Sequence, residues 1–471
     1  MTLFTLGAIL CSLLALATAL DPIEVKGNKF FRKDGSQFFI KGKQTFSTIE
    51  IAKRAKIQIV YHSTCAGISY QLRPNDPLID TEQCQRDVKL MKELGANALR
   101  VYHVDANVDH DGCMKVFADA GIYLLIDLDT FDTYIVPVHN FWTTRHYTKF
   151  AEVMDTFAKY DNVLGFFVGN ENIASKDDSL VAPYLKAAAR DMKAYRDAKG
   201  YRAIPIGYSA ADIRVGPMLQ NYLVCGGNSS ESVDFFGLNT YAWCDPGTYT
   251  TSGYNDLAEE ARNFPVPIFL TETGCNVPGP RQWADMEAVF DEDRMAKDWS
   301  GAIMYEWIEE MNHYGIVSYG PPVPKGEPMV DNDIIYDGFT RKGTPTPIHP
   351  DFDNLKTRWA TLHPTGVSRG DYDPGQVVTP ACPTSTQGGW WLVDGNSPLP
   401  VLDVIPTRHG AGRVMLQSTG TAAVEGEHVQ DSDGGQFVQD VDEDSQAATS
   451  YISFSAIVVL GLSFFWGLGG T

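Results

Sequence analysis

From residue 29 to about residue 365 the chain alternates two kinds of apolar spacing. Short runs of β-branched and apolar residues recur at Phe38–Gly42, Ala98–Val104, Tyr123–Asp129, Val163–Glu171, Ile204–Ala210, Asp234–Tyr241, Ile268–Gly274 and Gly301–Ile308. Between them lie amphipathic stretches such as Gln83–Leu94, Phe150–Tyr160, Val181–Lys199 and Asp256–Asn263, whose spacing predicts helices. Eight strands separated by helices predict an α/β fold, a closed (β/α)8 TIM barrel over residues 20–365. An open doubly wound sheet is the alternative. It would want a Gly-rich phosphate turn after an early strand, and neither GxGxxG nor a P-loop occurs.

The two ends depart from this pattern. Residues 1–19 are apolar and uncharged and close on Ala17-Thr18-Ala19, which reads as a cleaved secretory signal, a buried N-terminal helix being the alternative. Residues 366–400 read as an extension that caps the barrel. Residues 401–450 are acidic, aperiodic and rich in Gly and Ser, and read as a disordered stalk. Residues 451–471 are again apolar and short for a bilayer span, which wants ~20 residues. Small residues, a polar spacer and a terminal apolar tail match a signal for glycolipid (GPI) attachment, at Ser432, Gly434 or Gly435, with a single-span anchor as the alternative. The formal charge of −21, from 59 acidic against 38 basic residues, excludes a nucleic-acid binder and argues against anionic substrates. A neutral ligand, a sugar or a peptide, fits.

One internal segment is out of character. Phe38–Gly42 looks like the first barrel strand, and Gly67-Ile68-Ser69-Tyr70-Gln71 would continue it. Between them, Lys43 to Ala66 carries Lys43, Lys53, Arg54 and Lys56 with Glu50 as its one acid. Gly42-Lys43 can encode a GGTAAG splice donor and Cys65-Ala66-Gly67 a CAG acceptor, so the segment reads as a translated intron. The alternative is a basic surface loop, though a structureless loop of this length is uncommon in a compact domain. Of the eight Cys, Cys11 leaves with the signal; removing Cys65 as well leaves an even six.

In a barrel the active site lies at the C-terminal ends of the strands. Two carboxylates stand there, Glu171 on strand four and Glu272 on strand seven. Retaining glycoside hydrolysis uses two carboxyls ~5–5.5 Å apart, one protonating the leaving oxygen and one attacking the anomeric carbon. This assigns Glu171 as acid/base and Glu272 as nucleophile, with Asn170 placed to bind a sugar 2-hydroxyl. Tyr102, Tyr241, Trp243, Tyr305 and Trp307 offer flat faces for pyranose rings; for Trp243 and Trp307 a place in the core is as good a reading. Tyr241 and Tyr305 could also hydrogen-bond the nucleophile. Asp212 and Arg214 could bind sugar hydroxyls or form an exposed salt bridge. His103 and Asp105 read as structural. No HExxH, CxxC or spaced His/Asp cluster points to a metal, no cofactor is implied, and no GxSxG elbow points to a serine hydrolase.

Ile68-Ser69-Tyr70-Gln71, Asp76-Pro77-Leu78-Ile79-Asp80, Gly95-Ala96-Asn97 with Arg100-Val101-Tyr102, Gly169-Asn170-Glu171 and Thr271-Glu272-Thr273-Gly274-Cys275 resemble the fungal β-1,3-glucanosyltransferases of glycoside hydrolase family 72. The resemblance runs from Val25 to about Pro400. It implies a secreted enzyme held by a GPI anchor on the outer face of the plasma membrane and in the cell wall. Such an enzyme cuts an internal β-1,3-glucan bond and transfers the new reducing end to the non-reducing end of another glucan. Its partners would be donor and acceptor glucans, with the enzyme a monomer. Glu171 falls at the proton donor, Glu272 at the nucleophile, and Tyr102, Asn170, Asp212, Arg214 and Tyr305 at sugar-binding positions. The resemblance also implies the disulfides Cys84–Cys113, Cys225–Cys382 and Cys244–Cys275. No Cys-rich module follows Cys382, as in the branch without a carbohydrate-binding module. An endo-β-1,3-glucanase with the same carboxylates, and a non-catalytic wall protein, are the competing readings.

Overall fold

The computed structural model describes residues 20–40, 67–73, 76–137, 141–323 and 334–402. The signal, the 43–66 segment, the stalk from residue 403 and the apolar tail lie outside these residues.

Eight parallel strands close into a barrel: β4 (Gly67–Ser69), β5 (Ala98–Val101), β6 (Tyr123–Asp127), β7 (Val163–Asn170), β8 (Ile206–Ala211), β9 (Phe235–Asn239), β10 (Ile268–Thr273) and β11 (Trp299–Met304), with β11 pairing back onto β4. Side chains alternate between the interior and the surrounding helices. On β6, Leu124 and Ile126 pack outward, while Tyr123 and Leu125 face inward at the bottom of the barrel. Going up the strands, the inward residues change from apolar to polar. Ala98 gives way to Arg100 and Tyr102, and Leu125 to Asp127. The polar end of each strand is its C-terminal end, so the site is forced to that face.

The helices begin and end where local chemistry dictates. In α1 (Thr81–Leu94), the Asp80 side chain accepts from Gln83 N at 3.0 Å, and Gly95 closes the helix in the left-handed region at φ 85°. Cys84 of α1 is bonded to Cys113 of α2 (Asp111–Asp119). Around the barrel follow α3 (Thr144–Phe157), α4 (Ala182–Ala198), α5 (Gly216–Val224), α6 (Tyr254–Glu260), α7 (Asp285–Val289) and α8 (Asp351–Thr361).

The first barrel strand differs from expectation. Gln37–Phe38 is not a barrel strand: it is β3 of a small antiparallel sheet with β1 (Glu24–Lys26) and β2 (Lys29–Phe31). This sheet plugs the barrel floor, where the fully buried Phe30 lies 6.4 Å from Phe235 and 6.1 Å from Phe269, ring to ring. Barrel pairing starts at Ile40, which bridges in parallel to Gly301, and resumes at Gly67, which pairs with Ile303. Gly301 has to be glycine: a Cβ there would lie 2.3 Å from the Ile40 carbonyl oxygen.

The extension from residue 366 has two parts. The first lies against the plug, with Arg369 N donating to Gly35 O at 2.7 Å and the Tyr372 hydroxyl donating to Asn28 Oδ1 at 2.5 Å. The second is tied by a Cys225–Cys382 disulfide, buries Trp391 against Tyr222 at 5.4 Å, and ends where Arg190 Nη2 donates to Pro400 O at 3.0 Å.

Candidate active site

At the polar end of the barrel a single buried guanidinium organises four strands. Arg100 on β5 is inaccessible to solvent. Its Nη2 donates to Asp127 Oδ2 at 3.0 Å and to Asn170 Oδ1 at 2.8 Å. Its Nη1 donates to Ser209 Oγ at 3.0 Å and reaches Glu272 Oε1 at 3.5 Å. The cation also lies 4.4 Å from the ring centroids of Tyr102 and Phe167. Burial opposes its charge, but Asp127, Tyr102 and Glu272 outweigh that and raise its pKa above the usual arginine range. It is a permanent cation inside the barrel.

Glu272 on β10 receives the benefit. Its Oε1 accepts from the Tyr102 hydroxyl at 2.8 Å and its Oε2 from the Tyr241 hydroxyl at 2.7 Å. Ser69 Oγ stands 3.0 Å from the Tyr102 hydroxyl and holds that ring in turn. Burial pushes the Glu272 pKa up, while Arg100 and the two phenols pull it back. Glu171 is placed differently. It follows β7 in the left-handed region at φ 50°, a conformation costly for a residue with a Cβ. Its backbone N donates to Ser209 O at 2.9 Å, and its Oε1 accepts one side-chain hydrogen bond, from Asn239 Nδ2 at 2.9 Å. Burial first, and the charge of Glu272 second, push its pKa up to about 7. Two carboxyls in one site thus have different surroundings: Glu171 titrates near neutrality with one side-chain donor, and Glu272 is held by three donors.

Asn239 on β9 joins the two halves. Its Oδ1 accepts from Ser209 Oγ at 2.9 Å and Thr271 Oγ1 at 2.7 Å, and its Nδ2 donates to Glu171 and to Asn170 Oδ1, the latter at 3.1 Å. The Asn170 oxygen is therefore occupied by two donors, and its amide NH2 has no protein acceptor among the described residues. That NH2 is free to meet a ligand hydroxyl.

The sequence-derived residues distribute unevenly. Glu171, Glu272, Tyr102, Asn170 and Tyr241 fall in one hydrogen-bonded constellation. Tyr305 is buried beside it, 6.1 Å from Tyr241 ring to ring, but Tyr102 rather than Tyr305 is the second phenol on Glu272. Asp212 and Arg214 stand apart at the rim and do not pair with each other. Asp212 accepts from Thr240 Oγ1 at 2.6 Å and lines a small cavity with Gln220 and Glu260, between α5 and α6. Arg214 stacks on Trp390 at 4.5 Å. Trp307 is fully buried, donating to the Tyr319 hydroxyl at 2.8 Å, and Trp243 packs on Tyr254 at 5.0 Å; both are core. His103 stacks on Phe131 at 3.8 Å, and burial lowers its pKa to about 4, so it stays neutral. Arg100, Ser209 and Asn239 were not singled out as site residues. The available signal was the alternation of β5, which sets Arg100 on the same side as Tyr102. Among the described residues no cluster of His, Cys, Asp and Glu suits a metal ion.

A third disulfide, Cys244–Cys275, ties the loops after β9 and β10 beside this constellation. The glucanosyltransferase model of glycoside hydrolase family 72 matches residues 12–322. The chain belongs to this family. This family 72 chain is 40% identical over 328 residues to pH-responsive protein 1 of Candida albicans, covering 67% of this chain and 55% of that protein. It is 37% identical over 366 residues to the 1,3-beta-glucanosyltransferase PGA5 of the same organism, covering 75% and 52%. It thus spans about half the length of these curated relatives. Among solved structures, a mutant of Saccharomyces cerevisiae Gas2p in complex with laminaritetraose and laminaripentaose matches with a TM-score of 0.64 at 32% identity, covering 80% of this chain and 75% of that one.

The titration of Glu171 has two measurable consequences. Glycosidic cleavage that uses its proton falls off as pH rises through about 7, and Glu171→Gln abolishes that limb of the kcat/KM profile. The raised pKa also means that the stability contributed by protonated Glu171, complete below the unfolded value of ~4.5, is lost as pH rises through about 7. Thermal melting at pH 5 and pH 8 is expected to show a smaller drop for Glu171→Gln than for the wild type.

Proposed function

We propose that this chain is a retaining β-1,3-glucanosyltransferase. The observation that carries the reading is the unequal state of the two carboxyls, Glu171 shifted to about 7 and Glu272 buried among Arg100, Tyr102 and Tyr241. In the first step a Glu272 oxygen attacks the anomeric carbon of an internal glucosyl unit. The glycosidic bond breaks, and the Glu171 proton passes to the departing oxygen. A glucosyl ester on Glu272 and a Glu171 carboxylate remain. In the second step a hydroxyl at the non-reducing end of another glucan attacks the same carbon. Glu171 takes its proton and Glu272 is released. Two inversions give net retention.

Asn170, through its unpartnered NH2, holds the sugar 2-hydroxyl, a contact that strengthens as charge develops on the ring. Tyr102 and Tyr241 orient the nucleophile. As the ester forms, their hydroxyls lose a charged acceptor, and Arg100 retains Asp127 as its counter-ion. Tyr305 lies beside the ring-binding floor, and Asp212 and Arg214 serve the acceptor at the rim. The substrate class follows from the solved Gas2p complex with laminari-oligosaccharides and from the overall negative charge, which suits a neutral polymer.

Location belongs to the same proposal: secretion, followed by GPI attachment at the outer surface of the plasma membrane and the cell wall. The three disulfides among the described residues suit an oxidising compartment. No helix of the described residues is long and apolar enough to cross a membrane.

Incubation with a reduced laminari-oligosaccharide separates transfer from hydrolysis. Products longer than the donor are expected, and Glu171→Gln and Glu272→Gln are each expected to lower their formation by at least about 10²-fold. Exclusively shorter products would make the chain a glucanase.

A further inference from the structure

The acid/base residue marks where an acceptor must lie. The portion of glucan that leaves is protonated by Glu171, and the acceptor that replaces it gives its proton to the same residue. Both therefore occupy the Glu171 side of the mouth, over the loops that follow β7 and β8. The second part of the C-terminal extension crosses this place. Leu392 N donates to Ser179 Oγ at 3.2 Å, in the 3-10 turn Asp177–Val181 after β7. Trp391 is buried, and Cys382 is bonded to Cys225 at the end of α5. Within this anchored stretch Trp390 points outward and is 44% exposed. The guanidinium of Arg214, in the loop after β8, lies 4.5 Å from its ring centroid. Arg214 has no ion pair among the described residues, so the stacking contact is what places it. An indole held by a cation, beside a planar fork of donors, offers an apolar face to pyranose C–H groups and N–H groups to their hydroxyls.

We propose that Trp390, with Arg214, forms a sugar platform that holds a glucosyl unit of the acceptor β-1,3-glucan. The inference rests on the transglycosylase reading and adds the extension to the acceptor site. Its role is to keep the acceptor over the ester long enough to outcompete water. The test uses the full chain with disulfides intact, a fixed laminari-oligosaccharide donor and a titrated reduced laminari-oligosaccharide acceptor. Trp390→Ala is expected to raise the acceptor half-saturation concentration roughly threefold to tenfold, the size of one aromatic contact. It is also expected to raise the ratio of hydrolysis to transfer. At saturating donor, release of the first product stays at the wild-type rate, and Trp390→Phe recovers most of the loss. An unchanged half-saturation in a variant that melts like the wild type overturns the platform. So does an equal fall in first-product release at saturating donor, which marks a merely structural role. A wild type that only hydrolyses overturns the transglycosylase reading and the platform with it.

A second inference stands on strand pairing alone. Ile40 is a full barrel residue: its N donates to Ser300 O at 2.8 Å, and its carbonyl accepts from Ala302 N at 3.1 Å. It pairs with Gly301, and Gly67 pairs with Ile303. Parallel strands advance residue for residue, so the first strand has room for one residue, opposite Ala302, where the chain supplies residues 41–66. Lys41 followed directly by a single glycine and Ile68 gives an unbroken strand in perfect register. Removal of an intron beginning inside the Gly42 codon and ending inside the Gly67 codon leaves that single glycine. We infer that residues 42–66 are intron-encoded and absent from the mature protein. Tryptic mass mapping of the protein purified from its own cells decides this. After reduction and alkylation, the peptide Gly67–Arg86 arises by trypsin only when a Lys or Arg precedes Gly67, because the Arg73-Pro74 bond resists cleavage, and it is the expected product. Recovery of Ile57–Arg86 would overturn the inference.

Discussion

The arrangement depends on one buried cation. Arg100 has no access to water and is compensated by carboxylates from two other strands and by oxygens from two more. Removing a partner from a buried charge network costs several kcal/mol, so the strand ends it ties together cannot drift independently. Its position decides the chemistry. It contacts Glu272 directly and acts on Glu171 only from a distance, where burial and the charge of Glu272 outweigh it. Asn239 works on the same principle with neutral groups, each of its amide atoms saturated by strand-end partners.

The barrel supplies this geometry through alternation. Inward positions are apolar near the plug and polar near the mouth, so a packed floor and a charged site coexist in one strand set. Phe30 and its sheet close the floor from outside the barrel sequence, which frees the strands from having to fill both ends. The disulfides staple helices and loops rather than strands. Cys244–Cys275 joins the loops after β9 and β10, and Cys225–Cys382 anchors the extension at the end of α5.

Much of this was legible in the residues because strand ends are marked twice, by an apolar run and by the polar residue that stops it. Glu171, Glu272, Tyr102 and Tyr241 all carry that mark. Arg100 does not: it sits inside an apolar run, and its partners come from strands up to 172 residues away. Tyr305 and Tyr102 look alike at strand ends, and only the closed barrel shows which phenol reaches Glu272. Phe38 misled because an apolar run does not say whether its partner is parallel or antiparallel. Trp390 escaped notice because the adjacent Trp391 is core and nothing local separates them.

The central claim is that Glu272 bonds to the sugar while Glu171 moves the proton. A 2-deoxy-2-fluoro laminari-oligosaccharide donor with a good leaving group slows the second step and lets the ester accumulate. Peptide mass mapping after brief exposure is expected to find one glycosyl adduct, on the peptide containing Glu272. An adduct on Glu171, or no adduct together with a product of inverted anomeric configuration, would contradict the account.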